Sequence, residues 1–159
     1  MLAEDYKIVP LLASTDTGGG VTLESFKLLG GSATIVMTCG AVTGNAGLKI
    51  YSGAAAAQMT SQIDFKIAGT AGAIGAASGD YLSAWVDALA ASSGTALTAA
   101  TYTTKTAVIH IAAGAVDTAN NEGWITPIID GSGSTGAIHA VAYIENPRYQ
   151  SNRSKTVLA

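Results

Sequence analysis

The segment AIHAVAYI, Ala137–Ile144, decides the fold class. Successive side chains of an extended chain point to opposite sides. Ile138, Ala140, Ala142 and Ile144 therefore share one face, and Ala137, His139, Val141 and Tyr143 share the other. The segment TAVIHI, Thr106–Ile111, repeats the pattern, with Ala107, Ile109 and Ile111 opposite Thr106, Val108 and His110. A hydrophobic period of two, not 3.6, marks strands with one face in a core. Both histidines of the chain fall on the second face of their strands.

Working outward, the rest of the chain reads as short apolar runs divided by Gly, Asn, Asp and Ser clusters. Tyr6–Leu12, Leu23–Leu29, Ala33–Cys39, Gly47–Tyr51, Ile63–Ile67, Tyr102–Ile111, Trp124–Ile129 and Ala137–Ile144 are the expected strands. Thr17–Gly20 is a Gly-rich loop, and Gly30–Gly31, Thr43–Ala46 and Asp130–Gly136 are expected turns, the first and last as hairpins. Ala54–Ala57 is an extended connector and Ala68–Gly79 a loop. In Asp80–Ala91, Tyr81, Leu82, Trp85, Val86 and Leu89 fall at helical spacing behind a possible Asp80 cap, which predicts a short helix. The expectation is an all-β protein, a β-sandwich or jelly-roll-like domain with at most one or two short helices.

The 159 residues suit one domain, expected over residues 1–145. Only 12% of the residues are charged, about half the usual ~25%. Ala, Gly, Ser and Thr fill the deficit, which suits a chain whose faces are covered by other subunits. The charge is also divided unevenly. Residues 1–145 carry five Lys or Arg against eleven Asp or Glu, a net of −6, while the polar segment 146–159 carries Arg148, Arg153 and Lys155 and no acid, a net of +3. Arg148, Tyr149, Arg153 and Lys155 are the candidate partner-binding residues. They belong to a basic C-terminal arm expected to contact a neighbouring subunit or a larger assembly.

The formal net charge of −3 gives no electrostatic case for nucleic acid. No run approaches the ~18 apolar residues of a membrane-spanning helix. The opening MLAEDYKIVP has neither the basic nor the apolar region of a secretion signal, so the chain is expected to be made in a cytosol and to stay soluble there. The single Cys39, in an apolar run, is expected to be a small buried hydrophobe.

Catalytic signals are weak throughout. Gly131–Gly136 matches GxGxxG but precedes a strand, whereas a dinucleotide site needs a helix opening there. His110 and His139, even with Asp117 or Glu122, lack the close spacing of metal ligands. A Cys39–His110–Asp117 nucleophile set has nothing to activate the thiol. The loop Asp117–Glu122 lacks the spacing of a calcium loop and reads as a turn. Trp85 and Trp124 are assigned to the core. No enzyme activity, cofactor or metal is expected.

The opening Tyr6–Pro10 (YKIVP), the run Gly47–Gly53 (GLKIYSG), Thr98–Tyr102 (TAATY), the strands Val108–Ile111 and Trp124–Ile129, and the closing Asn146–Tyr149 (NPRY) carry a resemblance. In these features the chain resembles small virion proteins encoded near the capsid genes of tailed bacteriophages, of the decoration or cement type. That resemblance implies a β-rich structural protein on the capsid exterior. It would bind the major capsid protein as a homo-oligomer, with a trimer favoured because three-fold positions are natural docking points on an icosahedral shell. It contributes no functional residues. The alternatives are a carbohydrate- or receptor-binding module of a phage fibre and a tail or head-completion subunit.

Overall fold

A computed structural model describes residues 6–16, 18–28, 30–43, 46–77, 81–89, 94–116, 120–131 and 136–145. Twelve strands account for most of the described residues: β1 (Tyr6–Asp16), β2 (Val21–Thr22), β3 (Phe26–Lys27), β4 (Ala33–Thr38), β5 (Ala46–Gly53), β6 (Ser61–Gln62), β7 (Phe65–Gly69), β8 (Val86–Ala88), β9 (Thr95–Leu97), β10 (Thr106–Ile111), β11 (Trp124–Gly131) and β12 (Ala137–Glu145). One short helix, α1 (Ala99–Tyr102), precedes β10.

The strands form two antiparallel sheets. The first has the order β1-β12-β4-β10-β7-β8 and the second β2-β11-β5-β6, with β3 also on β11 and β9 also on β5. The chain changes sheet at eight of the eleven steps between successive strands, so that β1, β12, β4 and β10 face β2, β11, β5 and β6. That winding is a jelly roll, with the β7–β8 pair extending the first sheet. One hydrophobic core lies between the sheets. Ala33, Ile35 and Met37 of β4, Ala107, Ile109 and Ile111 of β10, and Ile138, Ala140, Ala142 and Ile144 of β12 enter it from the first sheet. Phe26, Leu48, Ile50, Ile125 and Ile129 enter from the second. The alternation read from Thr106–Ile111 and Ala137–Ile144 is therefore the observed one, residue for residue.

Several local expectations change. The helix over Asp80–Ala91 is not present in its described part. Val86–Ala88 instead pairs with Phe65–Ile67 as an edge strand, so backbone pairing outweighs the helical spacing of the side chains. The Gly30–Gly31 and Asp130–Gly136 connections are not hairpins. The first passes from β3 to β4, the second from β11 to β12, and each pair lies in different sheets. The glycine turns serve a crossing between layers. Gly31 meets a further demand, because a Cβ there would collide with the Glu145 carbonyl oxygen. Ala54–Ala57 is a turn rather than extended, with Ala57 at φ 60°, and its amide donates to Ser25 Oγ at 2.9 Å.

Cys39 is buried, as its sequence context suggests, and burial raises its thiol from the ordinary 9.0 to about 11. The unfolded thiol loses its proton near pH 9, while the folded one holds it to about pH 11. The stabilisation is thus present below pH 9 and lost as pH rises from 9 to 11. At ~1.4 kcal/mol per unit the loss is about 2–3 kcal/mol. Denaturant titrations are expected to show a falling midpoint across that window, with a shallower fall in Cys39→Ala. Identical pH profiles for the two proteins would refute the assignment.

Candidate interaction surface

The outward face of the first sheet is set by the same alternation that fills the core. Register aligns Pro10, Val141, Val36, Val108 and Ala68 in one row across β1, β12, β4, β10 and β7. A parallel row contains Ile8, Tyr143, Thr34, His110, Lys66 and Asp87. His139, Thr38 and Thr106 lie on the other side of the valine row. The three valines are half-buried, and Ile8 is exposed. This face is mostly uncharged, with an apolar stripe through its middle.

The two edges of the sheet differ. β1 carries Pro10, which donates no hydrogen bond, and two register shifts that break its regular pairing. Both features blunt an edge against further strands. At the other edge, β8 and the described residues around it, 70–77, 81–85 and Leu89, present exposed apolar side chains. Of the eight large hydrophobics exposed among the described residues, six lie here: Ile74, Tyr81, Leu82, Trp85, Val86 and Leu89. Trp85 is 46% exposed, Val86 59% and Leu89 67%. The segment is nevertheless anchored. Ser83 N–H donates to the Gly69 carbonyl at 2.7 Å, Ala71 N–H to that of Tyr81 at 2.9 Å, and Thr70 bridges to Leu82. Exposed apolar side chains held together in this way are the kind of patch through which proteins make contacts.

Beside the ridge, a groove of about 260 Å³ opens where β7 begins and β8 and β10 end. Phe65, Leu89 and Ala115 form apolar lining, while Asp64, Lys66, Asp87 and His110 supply polar groups. Lys66 Nζ lies 3.5 Å from Asp87 Oδ1, an exposed and loosely held pair. On the second sheet, the outward Lys49 and Asp130 pair at 2.7 Å. The Asp130 hydrogen bond holds the Lys49 ammonium above its ordinary pKa.

The sequence-derived chemical candidates are dispersed. His110 and His139 share a face but flank β4 from opposite sides, at Thr34 and Thr38 respectively. Two strand spacings and four residues separate their backbones by roughly 16 Å. Cys39 follows the inward residues of β4, away from His110. Asp117 lies outside the described residues, as do residues 132–135 of the GxGxxG match. Glu122 is buried and accepts a 3.0 Å hydrogen bond from Ser52 Oγ, a role in the core rather than in a site. Among the described residues no cluster of three His, Cys, Asp or Glu side chains is placed to hold a metal, and no helix is long and apolar enough to cross a membrane.

Trp85 and Trp124 correct their assignment to the core. Trp85 is exposed at the edge of the first sheet, and Trp124 is half-buried on the outward face of the second. Arg148, Tyr149, Arg153 and Lys155 lie outside the described residues. The ridge leaves no mark of its own in the sequence, because the spacing of Tyr81, Leu82, Trp85, Val86 and Leu89 also fits a short helix. No family model matches the chain, nor does any curated protein or solved structure.

Proposed function

We propose that the chain is a structural virion protein that docks on the outer surface of a phage capsid as a decoration or cement protein. The observation that carries the reading is the anchored apolar ridge of Ile74, Tyr81, Leu82, Trp85, Val86 and Leu89 at the β8 edge. The partner it fits is a protein. Residues 70–89 contain no Lys or Arg, whereas docking on an anionic lipid surface draws on basic side chains. A protein partner can bury Trp85 and Leu89 and extend the sheet beyond β8, the backbone mode of strand addition. The low charge of the body and the valine row on the adjoining face suit the same use. A homo-oligomer, with a trimer favoured, and the major capsid protein are the proposed partners.

The carbohydrate-binding alternative calls for the two tryptophans on one surface. Their placement on different sheets weighs against it. The tail or head-completion alternative gains one feature. β7 and β8 form an antiparallel pair, the backbone element that a hairpin insertion of a ring subunit would build on.

Mass spectrometry of purified particles of the phage encoding the chain is expected to find it in fixed proportion to the major capsid protein. Controlled dissociation should release it while closed heads remain. Its absence from particles, or its recovery only in detached tails, would overturn the decoration reading.

A further inference from the structure

β8 is the last strand of the first sheet on its side, paired with β7 alone among the described residues. In the extended chain Trp85, Asp87 and Leu89 fall on one side of the backbone. Two large apolar side chains thus flank one carboxylate along an open edge. The Asp87 side chain is 71% exposed, and Lys66 holds it at 3.5 Å, beyond the ~2.7–2.9 Å of a hydrogen-bonded ion pair. Asp87 and Leu89 also line the groove, with Phe65 and Ala115 as apolar wall. Residues 70–89 carry two acids, Asp80 and Asp87, and no base.

We infer that the β8 edge accepts an extended segment of the capsid protein in which Lys or Arg stands between two large apolar residues, each two positions away. The apolar side chains meet Trp85 and Leu89. The basic side chain lays its aliphatic stem in the groove along Phe65 and Ala115 and pairs its cation with Asp87, in competition with the loosely held Lys66. A second copy of this chain fits poorly as the added strand. Antiparallel pairing of β8 with itself about Asp87 sets two carboxylates opposite each other, which is destabilising. Sliding that pair while keeping each face together sets Asp87 against the Trp85 or the Leu89 of the other copy, and a carboxylate covered without a partner is costly. The β1 edge of another copy is blunted by Pro10 and its register shifts. The strand that fits is therefore a basic one from a different protein. The capsid reading supplies the source of that segment and the β8 edge its chemistry, so the inference rests on that reading.

The test is co-sedimentation of the full chain, Asp87→Asn and Lys66→Gln with capsids lacking the protein. Both side chains are exposed, so both variants keep the fold. Asp87→Asn retains the shape of the side chain without its charge and is expected to weaken binding at least ~10-fold. Lys66→Gln removes the competing cation and is expected to tighten binding several-fold. An Asp87–Lys66 pair with a purely structural role would weaken binding in both variants. Between ~50 and ~500 mM NaCl the affinity of the wild-type chain should fall more steeply than that of Asp87→Asn. A wild-type chain that does not bind capsids would overturn the capsid reading and this inference with it. Wild-type binding that Asp87→Asn leaves unchanged, that Lys66→Gln weakens, or whose salt dependence matches that of Asp87→Asn would overturn this inference alone.

Discussion

Trp85→Asp combined with Leu89→Asp is expected to weaken binding to capsids at least ~100-fold while the body stays folded. Both side chains are exposed, at 46% and 67%, and neither belongs to the core. Their replacement therefore removes little folding free energy. Exposed substitutions away from special features usually change stability by no more than ~0.5 kcal/mol. A side chain that acts as a hot spot at the centre of an interface carries ~2 kcal/mol or more. Two such losses, with carboxylates left against an apolar partner, exceed the ~2.7 kcal/mol of a hundredfold change. Co-sedimentation with capsids lacking the protein measures the binding, and a thermal melt on the same samples checks the fold. Unchanged binding in a folded variant would remove the ridge from the interface.

Phe26→Ala is expected to have the largest effect on stability. Phe26 is fully buried on the inward side of β3, a strand of two residues paired with β11. The ring ties this short strand into the core between the sheets. Removing a buried phenylalanine leaves a cavity and costs ~3–5 kcal/mol, a large share of the ~5–15 kcal/mol that holds a typical domain together. The midpoint of urea unfolding should fall accordingly. A change below 1 kcal/mol would mean that β3 contributes little to the packing between sheets.

The sequence carries the sandwich because its strands follow a rule of local reach. In Thr106–Ile111 and Ala137–Ile144 the period-two pattern alone sorts buried from outward side chains, and the fold repeats that sorting. Connectivity is different. Gly30–Gly31 permits a tight turn whether the next strand pairs with the last or crosses to the opposite sheet, and only the assembled core selects the crossing. β8 was missed because an edge strand of three residues is held by backbone pairing to β7, which leaves no periodic mark. The apolar residues around it then satisfied a helical template. The groove was invisible for another reason. Asp64, Asp87 and His110 come from three separate segments and meet only through the β10-β7-β8 register.

Hydrogen–deuterium exchange of residues 81–89, compared between the isolated chain and the chain bound on intact capsids, tests the docking ridge most directly. Amides of Trp85, Val86 and Leu89 are expected to slow by at least tenfold on the particle, while core amides such as those of Ile109 and Ala140 stay protected in both states. Equal exchange at 81–89 in the two states, with protection appearing elsewhere on the surface, would contradict the proposed interface.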